Sequence, residues 1–226
     1  MALANPLMNP ALVSGLKCII FDCDGVLIDS LQANIKYYGD IKEQLGLPPI
    51  TQSEIHYVHS RTHKLALEHI APGDLLPKAW ELAKGYDSSS LSSYLKRTEG
   101  IREFLCWLRS AGFKLAVNTS RTDTMDYILK IMDLEGFFFP VITSAKVAAP
   151  KPHPEGVYKI LRTLNVRPEE TAFVGDTHVD EKTARAAGVR FWAHGDQTLS
   201  AEVHIEDFWE IKAVMQRCYK GSRCSY

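Results

Sequence analysis

The sequence predicts a doubly wound α/β fold, a mostly parallel sheet with a small helical domain inserted after the first strand. Three observations predict it. Short apolar runs recur along the chain, each ending abruptly in polar or glycine-containing residues, which is the pattern of buried parallel strands. Helix-length amphipathic stretches follow most of these runs, so the connections are right-handed crossovers. Between the first run and the second, over residues 31–98, strand-like runs disappear and helix-like segments alternate with turns.

The elements follow in order. Residues 1–16 carry no charge and are broken by Asn5, Pro6, Asn9 and Pro10; without a basic n-region they are expected to form a loose leader and not a signal peptide. Lys17–Phe21 is the first strand and ends in Asp22. The insertion carries turns at 46–49, 71–74 and 87–90, each marked by glycine, proline, aspartate or serine. Phe113–Val117 is the second strand, followed by a helix capped by Asp123 or Thr122 and running to about Met132. Pro140–Ile142 is the third strand, and Pro154 suits the first turn of the helix after it. Thr171–Val174 is the fourth, with a helix from Thr177 closed by Gly188, and Val189–Trp192 is the fifth. The expected division is a Rossmann-like core of 1–30 and 99–226 around an inserted helical domain of 31–98.

Composition narrows the function. At 226 residues the chain fits one full domain plus a smaller insertion. With 46% hydrophobic and 23% charged residues it has the make-up of a globular protein, with no repeat or low-complexity tract. Its 26 Lys and Arg against 27 Asp and Glu leave a net charge of −1, which lacks the basic excess of a nucleic-acid binder, and its apolar runs are too short to span a membrane. The five cysteines, Cys18, Cys23, Cys106, Cys218 and Cys224, form no C-x-x-C pair. They signal neither a disulfide framework nor a zinc knuckle, so a cytoplasmic location is expected.

In a parallel sheet of this kind ligands bind at the rim where the strands end, so the residues just after each apolar run carry the information. After the first run stand Asp22, Asp24 and Gly25. After the second stand Asn118, Thr119 and Ser120, any of which can offer a hydroxyl or amide; Thr119 is the first small hydroxyl. Lys151 lies between Pro150 and Pro152 in a stiffened loop, and Gly175-Asp176 follows the fourth run, with Asp180 one helical turn on. Four carboxylates on one rim repel each other unless a divalent cation neutralises them. Oxygen ligands without a Cys or His set favour Mg²⁺ over zinc, and a lysine and a hydroxyl beside that cation suit a phosphoryl group.

The order Asp22-Cys23-Asp24-Gly25-Val26, then Thr119, Lys151 and Gly175-Asp176-x-x-x-Asp180 resembles the four motifs of the haloacid dehalogenase superfamily over roughly residues 17–193. The insertion resembles the helical cap of the phosphoglycolate phosphatase and β-phosphoglucomutase branch. The resemblance implies a Mg²⁺-dependent phosphatase acting on a small phosphorylated metabolite. Asp22 would be the nucleophile and Asp24 the acid/base. Thr119 and Lys151 would hold phosphoryl oxygens, with Gly25 and Ser120 lining the substrate. Asp22, Asp176 and the Asp24 backbone carbonyl would be metal ligands, and Asp180 would orient Lys151 or a metal-bound water. The presence of Asp24 favours phosphoryl transfer over carbon–halogen cleavage. Asn34 stands where mutases usually carry a histidine, which favours hydrolysis over the alternative phosphosugar mutase. A second alternative is a catalytically silent binding module, whose mark, a missing motif residue, is absent.

Other residues have simpler expectations. His56, His59 and His63 would share a face if their segment is helical, yet no carboxylate or cysteine in register makes a zinc site of them. Arg61, in Ser60-Arg61-Thr62, is the expected contact for a substrate anion. Cys23 is expected to pack in the core, and Phe137-Phe138-Phe139, Trp192 and Trp209 are expected in the core or at an interface. Monomer and homodimer are equally compatible with the sequence.

Overall fold

A computed structural model describes residues 12–59 and 61–220; the leader through residue 11, Ser60 and Cys224 fall outside them. The chain divides into two compact units, residues 1–27 with 97–226 and residues 28–96. The first is built on a six-stranded sheet of β1 (Cys18–Phe21), β4 (Lys114–Asn118), β5 (Val141–Ile142), β6 (Thr171–Gly175), β7 (Arg190–His194) and β8 (Val203–Ile205). The spatial order is β5-β4-β1-β6-β7-β8 and every pairing is parallel. This is the doubly wound order, with its reversal at β1. The predicted fold class is therefore correct, and β8 is an additional strand that the sequence reading did not find.

Among the described residues the sheet unit carries the α-helices α5 (Ile101–Ser110), α6 (Met125–Ile131), α7 (Glu155–Leu164), α8 (His178–Ala187) and α9 (Phe208–Lys220). On one face α7 and α8 bury Val157, Ile160, Leu161, Ala184 and Ala187 against Cys18, Ile20, Ala116, Phe173 and Phe191. α5 turns Ile101, Phe104, Leu105 and Leu108 inward, the i, i+3, i+4, i+7 spacing of one helical stripe. Phe104 meets Phe21 edge-on at 6.4 Å and stacks on Phe208 of α9 at 5.7 Å between ring centroids. Burial of about 150–250 Å² per aromatic makes such a cluster a large share of the core energy.

Several local expectations are corrected. The leader is not loose throughout: Val13 and Leu16 are buried, and Arg190 donates to the carbonyls of Leu12 and Ser14. The helix after the second predicted strand, α6, is capped by neither Asp123 nor Thr122: Thr122 donates to Asp123 instead, and α6 begins at Met125 after Thr124. The aromatic run splits, with Phe137 buried and Phe139 70% exposed.

The second unit contains α1 (Leu31–Gln44), α2 (Gln52–His59), α3 (His63–Ile70) and α4 (Leu76–Gly85). They enclose a separate core of Tyr38, Ile41, Val58, Ala66, Leu67, Ile70 and Ala79. Lys42, buried in that unit, is paired with Glu54 at 2.5 Å. The insertion is not purely helical: two-residue strands β2 (Ile28–Asp29) and β3 (Lys96–Arg97) pair with each other where the chain leaves and returns.

Candidate active site

Each motif residue occupies a strand end for a local reason. Asp22 extends the ladder of β1, its N–H donating to the Val174 carbonyl at 2.9 Å, so its side chain stands at the sheet's order reversal. The chain then turns through Gly25 at φ +74°, where a Cβ would lie 1.9 Å from Asp176 Oδ2. Only glycine tolerates both the left-handed backbone and that approach. The imidazole of His194, at the end of β7, meets the Gly25 carbonyl through Nδ1 at 2.8 Å and stacks on Phe208, so the donor on Nδ1 is fixed by its acceptor. Thr119 continues β4, its N–H donating to the Ile142 carbonyl at 3.0 Å.

Four predicted residues meet in one buried cluster. Lys151 Nζ donates to Asp180 Oδ1 at 2.6 Å and lies 2.9 Å from Asp22 Oδ1. The second contact is an ion pair, and Lys151 is the one cation on Asp22 Oδ1 among the described contacts. The other oxygen of Asp180 accepts from the Thr177 N–H at 3.2 Å and hydroxyl at 2.7 Å, capping α8 as its position at the third helical residue allows. Gly175 makes room for it, since a Cβ there would lie 2.3 Å from Asp180 Cβ.

The charges in this cluster are unequally matched. Burial pushes the Asp22 carboxyl up to about 7, against the pull of Lys151 and with the help of Asp180. Burial, then the charges of Asp180 and Asp22, hold Asp176 well above the carboxylate range. For Lys151 burial acts against the charge, but Asp180 and Asp22 outweigh it and keep the ammonium above its ordinary value. One ammonium therefore serves three carboxylates.

One carboxylate oxygen each from Asp22, Asp176 and Asp180 lies within 4.8 Å of the others, close enough to share a cation. Their bonding separates them. Both oxygens of Asp180 have protein donors, whereas Asp176 Oδ1 is buried without one and Asp22 Oδ1 has only its ion pair with Lys151. Buried acceptors left unpaired are costly. Asp22 and Asp176 thus fit as ligands of a hard divalent cation, and Asp180 fits as the residue that orients Lys151.

Asp24 is directed differently. Arg121 grips it in a two-pronged pair, Nε to Oδ2 at 2.7 Å and Nη2 to Oδ1 at 2.6 Å. The sequence reading missed Arg121. An arginine after a hydroxyl-bearing loop carries no local signal, and its partner lies 97 positions away. Thr119 is buried and accepts from the Arg121 N–H at 3.2 Å, while Ser120 contributes its carbonyl to Ser144 Oγ at 3.0 Å.

Arg61 belongs to the second unit, where its guanidinium lies 5.5 Å from the Tyr57 ring centre. The three histidines do not share a helix: α2 ends at His59 and α3 starts at His63. His59 pairs with Asn34 at 3.1 Å, His63 with the Tyr37 hydroxyl at 2.7 Å and His56 with Gln52 at 3.3 Å. No helix among the described residues is long and apolar enough to cross a membrane.

The model of haloacid dehalogenase-like hydrolases matches residues 19–194, a span that includes every strand-end residue described above. The chain belongs to this hydrolase family. Among solved structures, a subfamily IA hydrolase of the superfamily from Geobacter sulfurreducens shares 34% identity, covers 89% of this chain and 97% of that one, and superposes with a TM-score of 0.75. Pyrophosphatase PpaX of Anoxybacillus flavithermus is 28% identical over 77% of this chain and 81% of its own length. Phosphoglycolate phosphatase of Pseudomonas putida is 28% identical over 77% and 67%. A β-phosphoglucomutase from Clostridium difficile, 18% identical with a TM-score of 0.76 over 92% and 98%, shares the hydrolase fold.

Proposed function

We propose that this hydrolase is a Mg²⁺-dependent phosphatase that cleaves a small phosphomonoester or diphosphate through an aspartyl-phosphate on Asp22. The observation that carries the reading is the buried cluster in which Asp176 Oδ1 has no donor and Asp22 Oδ1 has only Lys151, which it shares with Asp180. Asp22, Asp176 and the Asp24 backbone carbonyl would hold the ion. When bound, Mg²⁺ supplies positive charge that offsets repulsion between the carboxylates and an incoming phosphoryl group.

The protein's own groups carry the steps. A carboxylate of Asp22 attacks phosphorus, and the bond to the leaving oxygen breaks with its electron pair as Asp24 gives that oxygen a proton. Asp24 then takes a proton from water whose oxygen bonds to phosphorus, and the pair from the breaking bond returns to Asp22. Lys151 and the Thr119 hydroxyl balance charge on the phosphoryl oxygens, the kind of fixed electrostatic help that phosphoryl transfer depends on. The unit of residues 28–96 serves as the cap that selects the organic part of the substrate, with Arg61 as a contact for a substrate anion. The free thiols Cys18, Cys23, Cys106 and Cys218 support a reducing, cytoplasmic setting.

The test is phosphate release from an aryl phosphate with Mg²⁺ and with chelator. Release that requires Mg²⁺ and disappears in Asp22→Asn agrees with the mechanism, and undiminished turnover by that variant excludes it. Interconversion of hexose phosphates dependent on a bisphosphate primer would replace hydrolysis by the mutase reading.

A further inference from the structure

We infer that His194 is a positioning residue that pins the turn after β1 against Asp176 and so sets the spacing of the cation's ligands. The inference rests on the cation site proposed above and names a further residue that shapes it. Gly25 is where the turn is free to move. A glycine at φ +74° can leave that conformation without a side-chain penalty, and its neighbour Asp24 carries the backbone carbonyl assigned to the ion. Within the turn the Cys23 carbonyl accepts from the N–H groups of Val26 at 3.3 Å and Leu27 at 2.8 Å. Those bonds close the turn on itself and leave its distance from Asp176 to be set by other contacts.

His194 supplies such a contact from across the sheet. In the order β1-β6-β7, β6, after which Asp176 stands, lies between the strand that leads to Gly25 and the strand that ends in His194. Gly175 pairs with Ala193, so His194 emerges level with Asp176, and its Nδ1 meets the Gly25 carbonyl at 2.8 Å. A carbonyl only accepts, so the proton of that bond sits on Nδ1. The ring is held flat on Phe208, with centroids 4.8 Å apart and planes 19° apart, and Phe208 is fully buried. The hydrogen bond therefore spans the end of β6 and keeps the glycine over the Asp176 carboxylate, where a Cβ would lie 1.9 Å from Oδ2. Hydrogen bonds that orient a metal's ligands are each worth about 10- to 100-fold in affinity or activity.

Two substitutions separate the donor from the ring. His194→Phe keeps the stack on Phe208 and removes the donor, whereas His194→Asn loses the stack and keeps an N–H donor one bond beyond Cγ. Each is made in the full chain and titrated with Mn²⁺, a paramagnetic ion suited to the same oxygen ligands, the free ion being followed by electron paramagnetic resonance. The expected result for His194→Phe is binding weakened by about 10-fold or more. The Mg²⁺ concentration needed for aryl phosphate turnover rises by the same factor, and KM for the ester at saturating Mg²⁺ stays nearly unchanged. His194→Asn binds Mn²⁺ more tightly than His194→Phe although it melts at the lower temperature. Wild-type Mn²⁺ affinity in His194→Phe, or affinity that follows melting temperature across the two variants, overturns the inference. Nitrogen NMR of the wild-type chain labelled with ¹⁵N-histidine is independent of how the variants fold: His194 should carry its proton on Nδ1, and a proton on Nε2 alone overturns the inference as well. Asp176→Asn run alongside keeps the two levels apart: if that variant binds Mn²⁺ as tightly as wild type, the proposed cation site is the part that fails.

Discussion

Replacing Asp180 by Ala probes the cluster where its energetics are steepest. Asp180 is fully buried and Lys151 has a side-chain exposure of 3%. At their separation of 2.6 Å the gross attraction is about 6 kcal/mol for an effective dielectric of 20. Much of that is offset by desolvation of the two ions, but truncating one partner leaves the other charge buried and uncompensated, which costs about 3–5 kcal/mol. Asp22, 2.9 Å from Lys151, recovers part of the loss by taking the ammonium as its own partner. The expected destabilisation is therefore nearer the lower bound, about 3 kcal/mol, equivalent to a fall of roughly 6–12 °C in Tm for a chain of this size. Because the recovery engages Asp22, kcat falls as well. Urea and thermal denaturation of Asp180→Ala measure the first effect and aryl phosphate turnover the second. A change below about 1 kcal/mol, the scale of exposed ion pairs, would refute the claim that this pair is a desolvated, coupled unit.

Two further predictions follow from the same cluster. Metal-free protein should lose stability as pH rises from about 4 to about 7, because folding raises the Asp22 carboxyl to about 7 and the folded state binds the extra proton in that window. On the proposed reading Mg²⁺ would replace that proton, so its stabilisation should be larger at pH 8 than at pH 5; thermal melts with Mg²⁺ and with chelator at both values check it, and an equal shift at both contradicts it. Gly25→Ala should abolish most activity and destabilise the chain by about 1–3 kcal/mol, since its Cβ would sit 1.9 Å from Asp176 Oδ2 at a φ of +74°; circular dichroism melts and phosphate release measure both effects, and an active variant of native stability would contradict the crowding argument.

Much of the sheet was legible because its strands are buried on both faces. Ile19, Ile20, Phe21, Ala172, Phe173 and Val174 are all fully buried, so each run is apolar without alternation and stops where the rim meets solvent. β8 was not legible. It is only Val203–Ile205, with a half-buried histidine in the middle, too short for its period to register. The grouping of Asp22, Asp176, Asp180 and Lys151 could be inferred from strand ends because topology brings every parallel strand's C-terminus to one rim. Arg121 could not, because its fork depends on how two loops meet and not on local pattern. The condition under which the histidines would share a face is not met: their i, i+3, i+7 spacing is helical, but the chain breaks between α2 and α3 and sends each ring to its own neighbour.

The central claim is that Asp22 accepts the phosphoryl group. Rapid acid quench of the enzyme during turnover of a ³²P-labelled substrate, followed by peptide mapping, addresses it most directly. The account predicts a transient label on the peptide that contains Asp22, absent from Asp22→Asn. A label on any other residue, or full turnover with none, would contradict it.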